Sequence, residues 1–212
     1  MAPLPRWSNS ILWVALLILA GFLFGVPAVL MAWVRTPVSD GVGVRIEQPV
    51  QFDHRHHAQD AAIRCLYCHY DAERGPTAGV PDTALCMGCH GQVWNDSPQT
   101  EPLRESWSER RPIAWRRVTD LPDFVFFDHS VHVRRGVGCE SCHGRVDRMA
   151  AVYRAYSLDM GFCLDCHRDP EPHLRPPEHA DWMGYPMARA RGRSVAVSLA
   201  IDPPTHCTGC HR

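Results

Sequence analysis

Cysteine and histidine residues recur in this chain at a spacing that predicts covalent attachment of haem. Every cysteine falls in one of five Cys-x-x-Cys-His motifs. In c-type haem attachment two thiols bond to the porphyrin vinyl groups, and the histidine that follows binds the iron. We therefore expect five haem c groups attached at Cys65, Cys68, Cys86, Cys89, Cys139, Cys142, Cys163, Cys166, Cys207 and Cys210, with His69, His90, His143, His167 and His211 as iron ligands.

Two other uses of paired cysteines are less consistent with this pattern. A disulfide framework also needs an even number of cysteines, but it does not need a histidine after every second one. Zinc sites combine two Cys-x-x-Cys pairs, so five pairs leave one pair over and five histidines unexplained. The repeated histidine therefore favours haem.

A duplicated segment supplies candidates for the second axial position of the irons. Phe-Asp-His-x-x-His occurs twice, at residues 52–57 and 127–132, and each copy precedes two of the motifs. Histidines three residues apart lie close together on a helical turn, so one copy can reach two closely packed haems. We predict His54, His57, His129 and His132 as distal iron ligands. His56 has no counterpart in the second copy and ranks lower.

A fifth six-coordinate iron needs a ligand that the duplication does not supply. The candidates are Met183, which we rank first among the methionines, together with His56, His173, His179, His206, Met149, Met160 and Met187. Methionine ligation raises the reduction potential relative to two histidines, whereas an open iron would permit chemistry on a small ligand. A methionine, a histidine and an open iron all remain alternatives for the fifth haem on the sequence alone.

An uncharged segment near the N-terminus predicts a membrane anchor. Residues 11–34 form an apolar run that could cross the hydrocarbon core of a bilayer as a helix. A cleaved signal peptide has a shorter apolar part and a small-x-small cleavage site, so we favour an uncleaved anchor. The flanking charges, Arg6 and Arg35, give only a slight orientation signal. Because haem is attached outside the cytoplasmic membrane, we expect the chain from Arg35 onward on the periplasmic side.

The remaining chain is short for the number of motifs, and this predicts its fold class. The chain has 212 residues, 18 of them proline and 15 glycine. We expect a multihaem cytochrome c that is mostly coil, with short α-helices packed around five haems and one N-terminal transmembrane helix. The expected divisions are a cytoplasmic N-terminus (1–10), an anchor (11–34), a linker (35–50), a first di-haem unit (51–90), an aromatic connecting segment (91–126), a second di-haem unit (127–168) and a C-terminal segment with the fifth haem (169–212).

Composition limits the choice of partners. The formal net charge is −1 and gives no indication of nucleic-acid binding. All 22 basic residues are arginine, whose planar guanidinium binds carboxylates in a two-pronged arrangement. Arginines are therefore expected partners of the haem propionates.

Beyond these motifs, the chain resembles known multihaem cytochromes. The Phe-x-His-x-x-His pattern with repeated haem motifs resembles the cytochrome c3/c7 class. Segments 92–95, 101–106, 120–125, 144–149 and 166–171 are similar to the pentahaem, membrane-anchored subunit of alternative complex III, a quinol-oxidising bacterial complex. The resemblance makes Met183 attractive as a ligand. It implies an iron–sulfur subunit, multi-helix quinol-binding membrane subunits and a mono-haem cytochrome subunit as partners.

These observations predict an electron-transfer subunit that is not itself an enzyme. Electrons would pass through the haems from a quinol-oxidising complex towards a periplasmic acceptor. A self-sufficient quinol dehydrogenase is the second interpretation, although the duplicated histidines and the long aromatic segment suit it less well. A multihaem reductase is the third, and it requires an open iron in a polar pocket. The sequence shows no nucleophile–base constellation or phosphate-binding loop that would suggest other catalysis.

Overall fold

The computed structural model describes Pro5 and residues 7–211, which form parts of two compact units. The first unit is Met1–Val42 and the second is Gly43–Arg212. All five motifs and both copies of the duplicated segment lie in the second unit. Residues 1–4 and Arg6, which belong to the expected cytoplasmic N-terminus, lie outside the described residues.

A long apolar helix dominates the first unit. It runs over Trp7–Trp33 and consists of α1 (Trp7–Ala20), a π-helical turn (Gly21–Gly25) and α2 (Val26–Trp33). A short helix, α3 (Pro37–Asp40), follows. At 27 residues the helix is long and apolar enough to cross a membrane, a property that a signal sequence near an N-terminus shares. It begins four residues before the predicted apolar run because Ser8 bonds back to the Pro5 carbonyl through its amide and its hydroxyl.

The second unit consists of short helices joined by irregular chain. Its α-helices are α4 (Cys65–Cys68), α5 (Thr83–His90), α6 (Glu101–Glu109), α7 (His129–Arg134), α8 (Glu140–His143), α9 (Met160–Arg168) and α10 (Arg189–Ser198). A π-helical turn spans Arg55–Asp60, and 3₁₀ turns span Tyr70–Glu73, Pro98–Thr100, Val146–Arg148, Glu171–His173, Pro177–His179 and Cys207–Gly209. The described residues contain no strand, only the isolated bridges Arg45–Tyr153, Val125–His211 and Val137–Leu174. The expected short α-helices are therefore confirmed, but the described residues are richer in helix than the expected fold of mostly coil.

Aspartates cap the N-termini of three helices that carry predicted haem ligands. Asp82, Asp128 and Asp159 precede α5, α7 and α9, and each side chain accepts a hydrogen bond from a backbone N–H in the first turn. Such capping satisfies amides that have no partner inside the helix and is worth about 1 kcal/mol. These caps fix where each short helix begins, and hence the rotation of the histidines on it.

The apolar core of the second unit is small. Among the described residues the buried hydrophobic side chains are Ala72, Leu103, Val133, Met149, Leu174, Ala180 and Val195. Three of them, Ala72, Val133 and Ala180, form one cluster that joins the turn after the first motif to α7. The side chains of the second unit thus supply few apolar contacts for a domain of this length, in which burial of apolar surface is the main favourable contribution to folding.

Candidate haem-binding sites

Each of the five motifs coincides with a helical turn. Motif 1 lies in α4, motif 2 ends α5, motif 3 lies in α8 and motif 4 lies near the end of α9. Motif 5 forms a 3₁₀ turn instead. All ten cysteines are free of disulfides. Within the described part of the chain, no three His, Cys, Asp or Glu side chains cluster as a metal site would require.

The two copies of the duplicated segment adopt the same local geometry. The Phe52 ring stands edge-on to His54, with centroids 4.7 Å apart, and stacks on His57 at 4.2 Å. In the second copy the Phe127 ring stands edge-on to His129 at 4.7 Å and stacks on His132 at 4.8 Å. The phenylalanine is thus a spacer that holds two imidazoles at a fixed mutual angle.

The aspartate of each copy has two functions, which sequence reasoning did not assign. Its side chain accepts a hydrogen bond from a backbone N–H two residues later, at Arg55 in the first copy and Ser130 in the second. Its carbonyl accepts the Nδ1 hydrogen bond of the second histidine, His57 at 2.9 Å or His132 at 2.7 Å. The repetition of Phe-Asp in the sequence could have indicated these roles, because identical residues at the same place in both copies indicate the same structural role.

Three of the predicted distal histidines lie opposite a motif histidine at one common distance. The centroids of His57 and His90, of His129 and His143, and of His132 and His167 are each 6.2 Å apart. Two imidazoles that bind one metal from opposite sides through nitrogens about 2 Å away have centroids about 6 Å apart. The three pairs therefore fit six-coordinate haem iron.

The orientation of these imidazoles is fixed through one ring nitrogen. His69, His90 and His167 of the motifs donate from Nδ1 to the carbonyls of Gly79, Val93 and Pro204. Among the distal candidates, His57, His129 and His132 bond in the same way to Asp53, Pro76 and Asp128. With Nδ1 held by a carbonyl, Nε2 is left to bind metal, which is the usual arrangement for ligating histidines.

His54 lies near His69 of motif 1, close enough for the two imidazoles to interact electrostatically. Burial lowers the pKa of His54 to about 4, and the nearby His69 lowers it further. Burial likewise lowers the pKa of His143 to about 4 and that of His132 below its usual value. The Nδ1 atom of His54 is buried without a protein partner. These imidazoles are neutral at pH 7, which is the form that binds a metal ion.

The remaining histidines have other surroundings. His56 is exposed, and its Nδ1 bonds to Asp60 at 2.8 Å. His179 packs against the rings of Trp182 and Tyr185, and His206 is exposed. His173 is partly buried, which lowers its pKa. In the described part of the chain, no ring contact with a motif histidine is seen for any of these four, so the structure gives no support for a distal role.

Motif 5 and Met183, the predicted fifth distal ligand, have different neighbours in the structure. His211 bridges to Val125, and its ring lies 5.9 Å from that of Phe124. Met183 instead lines a cavity that also contains Cys65 of motif 1. The part of the chain around Met183 is held there by a hydrogen bond from the amide of Gly184 to Glu140. The role of Met183 as the fifth distal ligand stays a prediction.

Contacts between cysteines give the spatial order of the motifs. The thiols of Cys65 and Cys139 lie against each other, which joins motif 1 to motif 3. Burial is the main cause of the raised pKa of Cys68 and of Cys86. Cys89 of motif 2 raises the pKa of Cys68 further, and Cys68 of motif 1 raises that of Cys86, so motifs 1 and 2 are neighbours. Burial raises the pKa of Cys142 to about 12, with neighbouring Cys166 adding to the effect, and Cys163 lies near Cys210. These neighbours connect motif 2 to motif 1, motif 1 to motif 3, motif 3 to motif 4 and motif 4 to motif 5.

Arginines surround the cavity beside motif 1, which has a volume of about 1060 Å³. Arg64 forms a hydrogen-bonded ion pair with buried Asp181, and Arg145 pairs with Asp147. The side chain of Arg148 forms no hydrogen bond or ion pair with the described residues and is exposed at the cavity. Exposed guanidinium groups at this cavity are of the kind that binds haem propionates.

Comparison with known proteins supports the cytochrome interpretation for the C-terminal part of the chain. Residues 125–212 match the family model "Cytochrome c7 and related cytochrome c". The chain is also 32% identical over 134 residues to a protein of Nitratidesulfovibrio vulgaris (strain Hildenborough) named "Menaquinone reductase, multiheme cytochrome c subunit". The alignment covers 63% of this chain and 57% of that relative. From Val125 onward, the chain is thus similar to cytochrome c7-like multihaem domains.

Proposed function

We propose that this chain is a five-haem c-type cytochrome that carries electrons within a quinone-linked membrane complex. The observation that supports this most strongly is the 6.2 Å separation in three histidine pairs, each joining a motif histidine to a histidine of the duplicated segment. Haem iron supplies one-electron exchange between its ferric and ferrous states. Each of these three histidine pairs would hold its iron on both sides, which would leave no open coordination position for a substrate at those three haems.

The ligand assignment follows from the pairs. His54 and His69 would hold the haem of motif 1, and His57 and His90 that of motif 2. His129 and His143 would hold the haem of motif 3, with His132 and His167 at motif 4. His211 would hold the fifth haem on one side. Met183, which the family resemblance makes attractive as a distal ligand, lies in the cavity beside Cys65 and not among the residues that contact His211, so its partner haem is left unassigned.

The order of the motifs in space supports a single path for electrons. Motifs 2 and 5 are the two ends of the order, and motifs 1, 3 and 4 lie between them. The contact between Cys65 and Cys139 joins the two di-haem units at the middle. Electrons entering at one end would therefore cross from the first unit to the second through motifs 1 and 3.

The apolar helix and the resemblance support a place at the membrane. We propose that the helix Trp7–Trp33 is an anchor, that the haem domain lies on the periplasmic side, and that the assembly is of the alternative complex III type. Its partners would be an iron–sulfur subunit, multi-helix quinol-binding subunits and a mono-haem cytochrome. The complex as a whole, rather than this subunit, would oxidise quinol.

Purification of the native assembly in mild detergent tests this proposal. On addition of quinol, the haem absorbance should change to that of the reduced state only when the membrane and iron–sulfur subunits accompany the chain. Reduction of the isolated chain by quinol would instead identify a self-sufficient quinol dehydrogenase. Binding of a small ligand such as nitrite to the oxidised haems would favour a reductase.

A second candidate is electron transfer in the opposite direction. It is favoured by the relative from Nitratidesulfovibrio vulgaris, whose name assigns it to a menaquinone reductase. In such a complex the haems would deliver electrons to menaquinone. Adding oxidised quinone to the pre-reduced assembly and following haem re-oxidation distinguishes the two directions, because the favoured direction shows the higher turnover rate.

A further inference from the structure

Motif 3 differs from the other motifs in the charge of its first intervening residue. Glu140 occupies this position, whereas the corresponding residues of the other motifs are uncharged, namely Leu66, Met87, Leu164 and Thr208. Glu140 and the predicted iron ligand His143 are the first and last residues of α8. Residues three apart on a helix lie side by side, so the carboxylate is held close to the haem-binding face.

The Glu140 carboxylate is largely buried and fully engaged. Its Oε1 accepts a hydrogen bond from Arg175 Nη2 at 2.9 Å, and its Oε2 accepts one from the Gly184 amide at 2.7 Å. Arg145 lies 3.8 Å away but is itself paired with Asp147. Arg175 is therefore the cation that balances Glu140.

Arg175 is among the most deeply buried side chains in the described part of the chain. It is 1% exposed, and its Nη1 donates to the Trp182 carbonyl at 2.9 Å. Its guanidinium fills the space beside Gly138, where an added Cβ would lie 2.2 Å from Cζ. Nε, in contrast, is buried with no protein partner. The residue before Cys139 is thus glycine because a buried guanidinium occupies the place of its side chain.

A charge pair in such a place must affect a redox centre attached to the same motif. Haem gains one electron on reduction, so a nearby positive charge favours the reduced state and a negative charge opposes it. In a medium of effective dielectric constant about 20, one charge within about 12 Å alters a one-electron equilibrium about tenfold. We propose that Glu140 and Arg175 form an ion pair that sets the reduction potential of the haem at motif 3. This inference rests on the proposed function.

Substitutions that remove one charge at a time test the proposal. The full-length protein carrying Glu140→Gln keeps the size of the side chain but leaves Arg175 unbalanced. In a spectroelectrochemical titration at constant pH, we expect one of the five haem components to become easier to reduce, with a reduction constant raised about tenfold, or 59 mV for one electron. Arg175→Gln should shift the same component in the opposite direction. Glu140→Asp keeps the charge and should stay within about threefold of the parent protein.

A matched control and the haem content separate the possible outcomes. Glu109 also pairs with an arginine, Arg111, but both are exposed, so Glu109→Gln should leave all components unchanged. If Arg175→Gln fails to mature, Glu140→Gln, Glu140→Asp and Glu109→Gln still decide the matter. Equal shifts for Glu140→Gln and Glu109→Gln, or shifts of the same sign for Glu140→Gln and Arg175→Gln, would overturn the inference. Fewer than five haems in the parent protein would instead overturn the proposed function.

Discussion

His56 and His57 are neighbours in the sequence but have different surroundings. His57 is partly buried, with its Nδ1 held by the Asp53 carbonyl and its ring 6.2 Å from that of His90. His56 is exposed and bonds to the carboxylate of Asp60. Only His57 combines a fixed ring with an opposing motif histidine, and that combination distinguishes an iron ligand from a surface histidine.

Replacing His57 with alanine should open one haem. We expect one haem to become five-coordinate and high-spin and to bind carbon monoxide in the reduced state, while the other haems keep their spectra. Electron paramagnetic resonance and the visible spectrum under carbon monoxide measure this change. His56→Ala is the matched control and should leave both spectra as in the parent protein. High-spin haem in the His56 variant, or none in the His57 variant, would contradict the ligand assignment.

The lowered pKa values of His54 and His143 predict how stability depends on pH. Both values are about 4 in the folded protein because burial disfavours the charged imidazole. The unfolded chain binds protons at these residues below about pH 6.5. The free energy of unfolding should therefore fall as the pH decreases from about 6.5 to about 4. Iron ligation, which also requires the neutral form, acts in the same direction.

Denaturant unfolding followed by circular dichroism at several pH values measures this dependence. Asp53 does not interfere in that window, because its hydrogen bonds with Arg55 lower its pKa to about 2 and its stabilising effect is lost only below about pH 4. A His56→Gln variant should keep the pH dependence of the parent, since that side chain is exposed. A constant or rising free energy of unfolding from about pH 6.5 to about pH 4 would be inconsistent with buried neutral histidines.

Among the elements, α10 packs on the chain after motif 4 through one glycine. A Cβ added at Gly192 would lie 1.7 Å from the Glu171 carbonyl oxygen, so no side chain fits between the helix and the turn Glu171–His173. Arg189 and Arg193 of the same helix pair with Asp169 and Glu171 across this contact. The close backbone approach depends on glycine, whereas the exposed ion pairs contribute little to stability.

Gly192→Ala should therefore destabilise the second unit. The helix must move away from Glu171, and we expect a loss of about 1–3 kcal/mol, as for other overpacked sites. Thermal unfolding measures the change. Ser194→Ala, an exposed substitution on the same helix, should be close to neutral. An unchanged melting temperature for Gly192→Ala would show that α10 does not pack closely in solution.

The local elements could be predicted from the sequence, but their pairing could not. Motif spacing and the duplicated Phe-Asp-His-x-x-His predict which residues would bind haem, because these features are local. Which distal histidine meets which motif depends on long-range contacts, such as the bond from His129 to the Pro76 carbonyl. The location of Met183 beside motif 1 depends on the ion pair between Arg64 and Asp181, which are 117 residues apart.

For the whole molecule, the division after Val42 predicts that the haem domain matures without the apolar helix. A version containing residues 43–212 behind a cleavable signal should be exported and should carry the same number of haems with the same potentials. It should also no longer fractionate with the membrane, because it lacks the apolar helix Trp7–Trp33 that we propose as the anchor. Loss of haems from this version would show that the first unit is needed for maturation.

The proposed function requires a covalent haem at every Cys-x-x-Cys-His motif. Intact-mass measurement of the purified chain under denaturing conditions tests it most directly, because thioether bonds survive unfolding whereas zinc is lost. We expect the mass of the polypeptide plus five haem groups, with all ten cysteines unreactive towards alkylating reagents. A mass equal to the bare polypeptide, or one lowered by the hydrogens lost on forming disulfides, would contradict it.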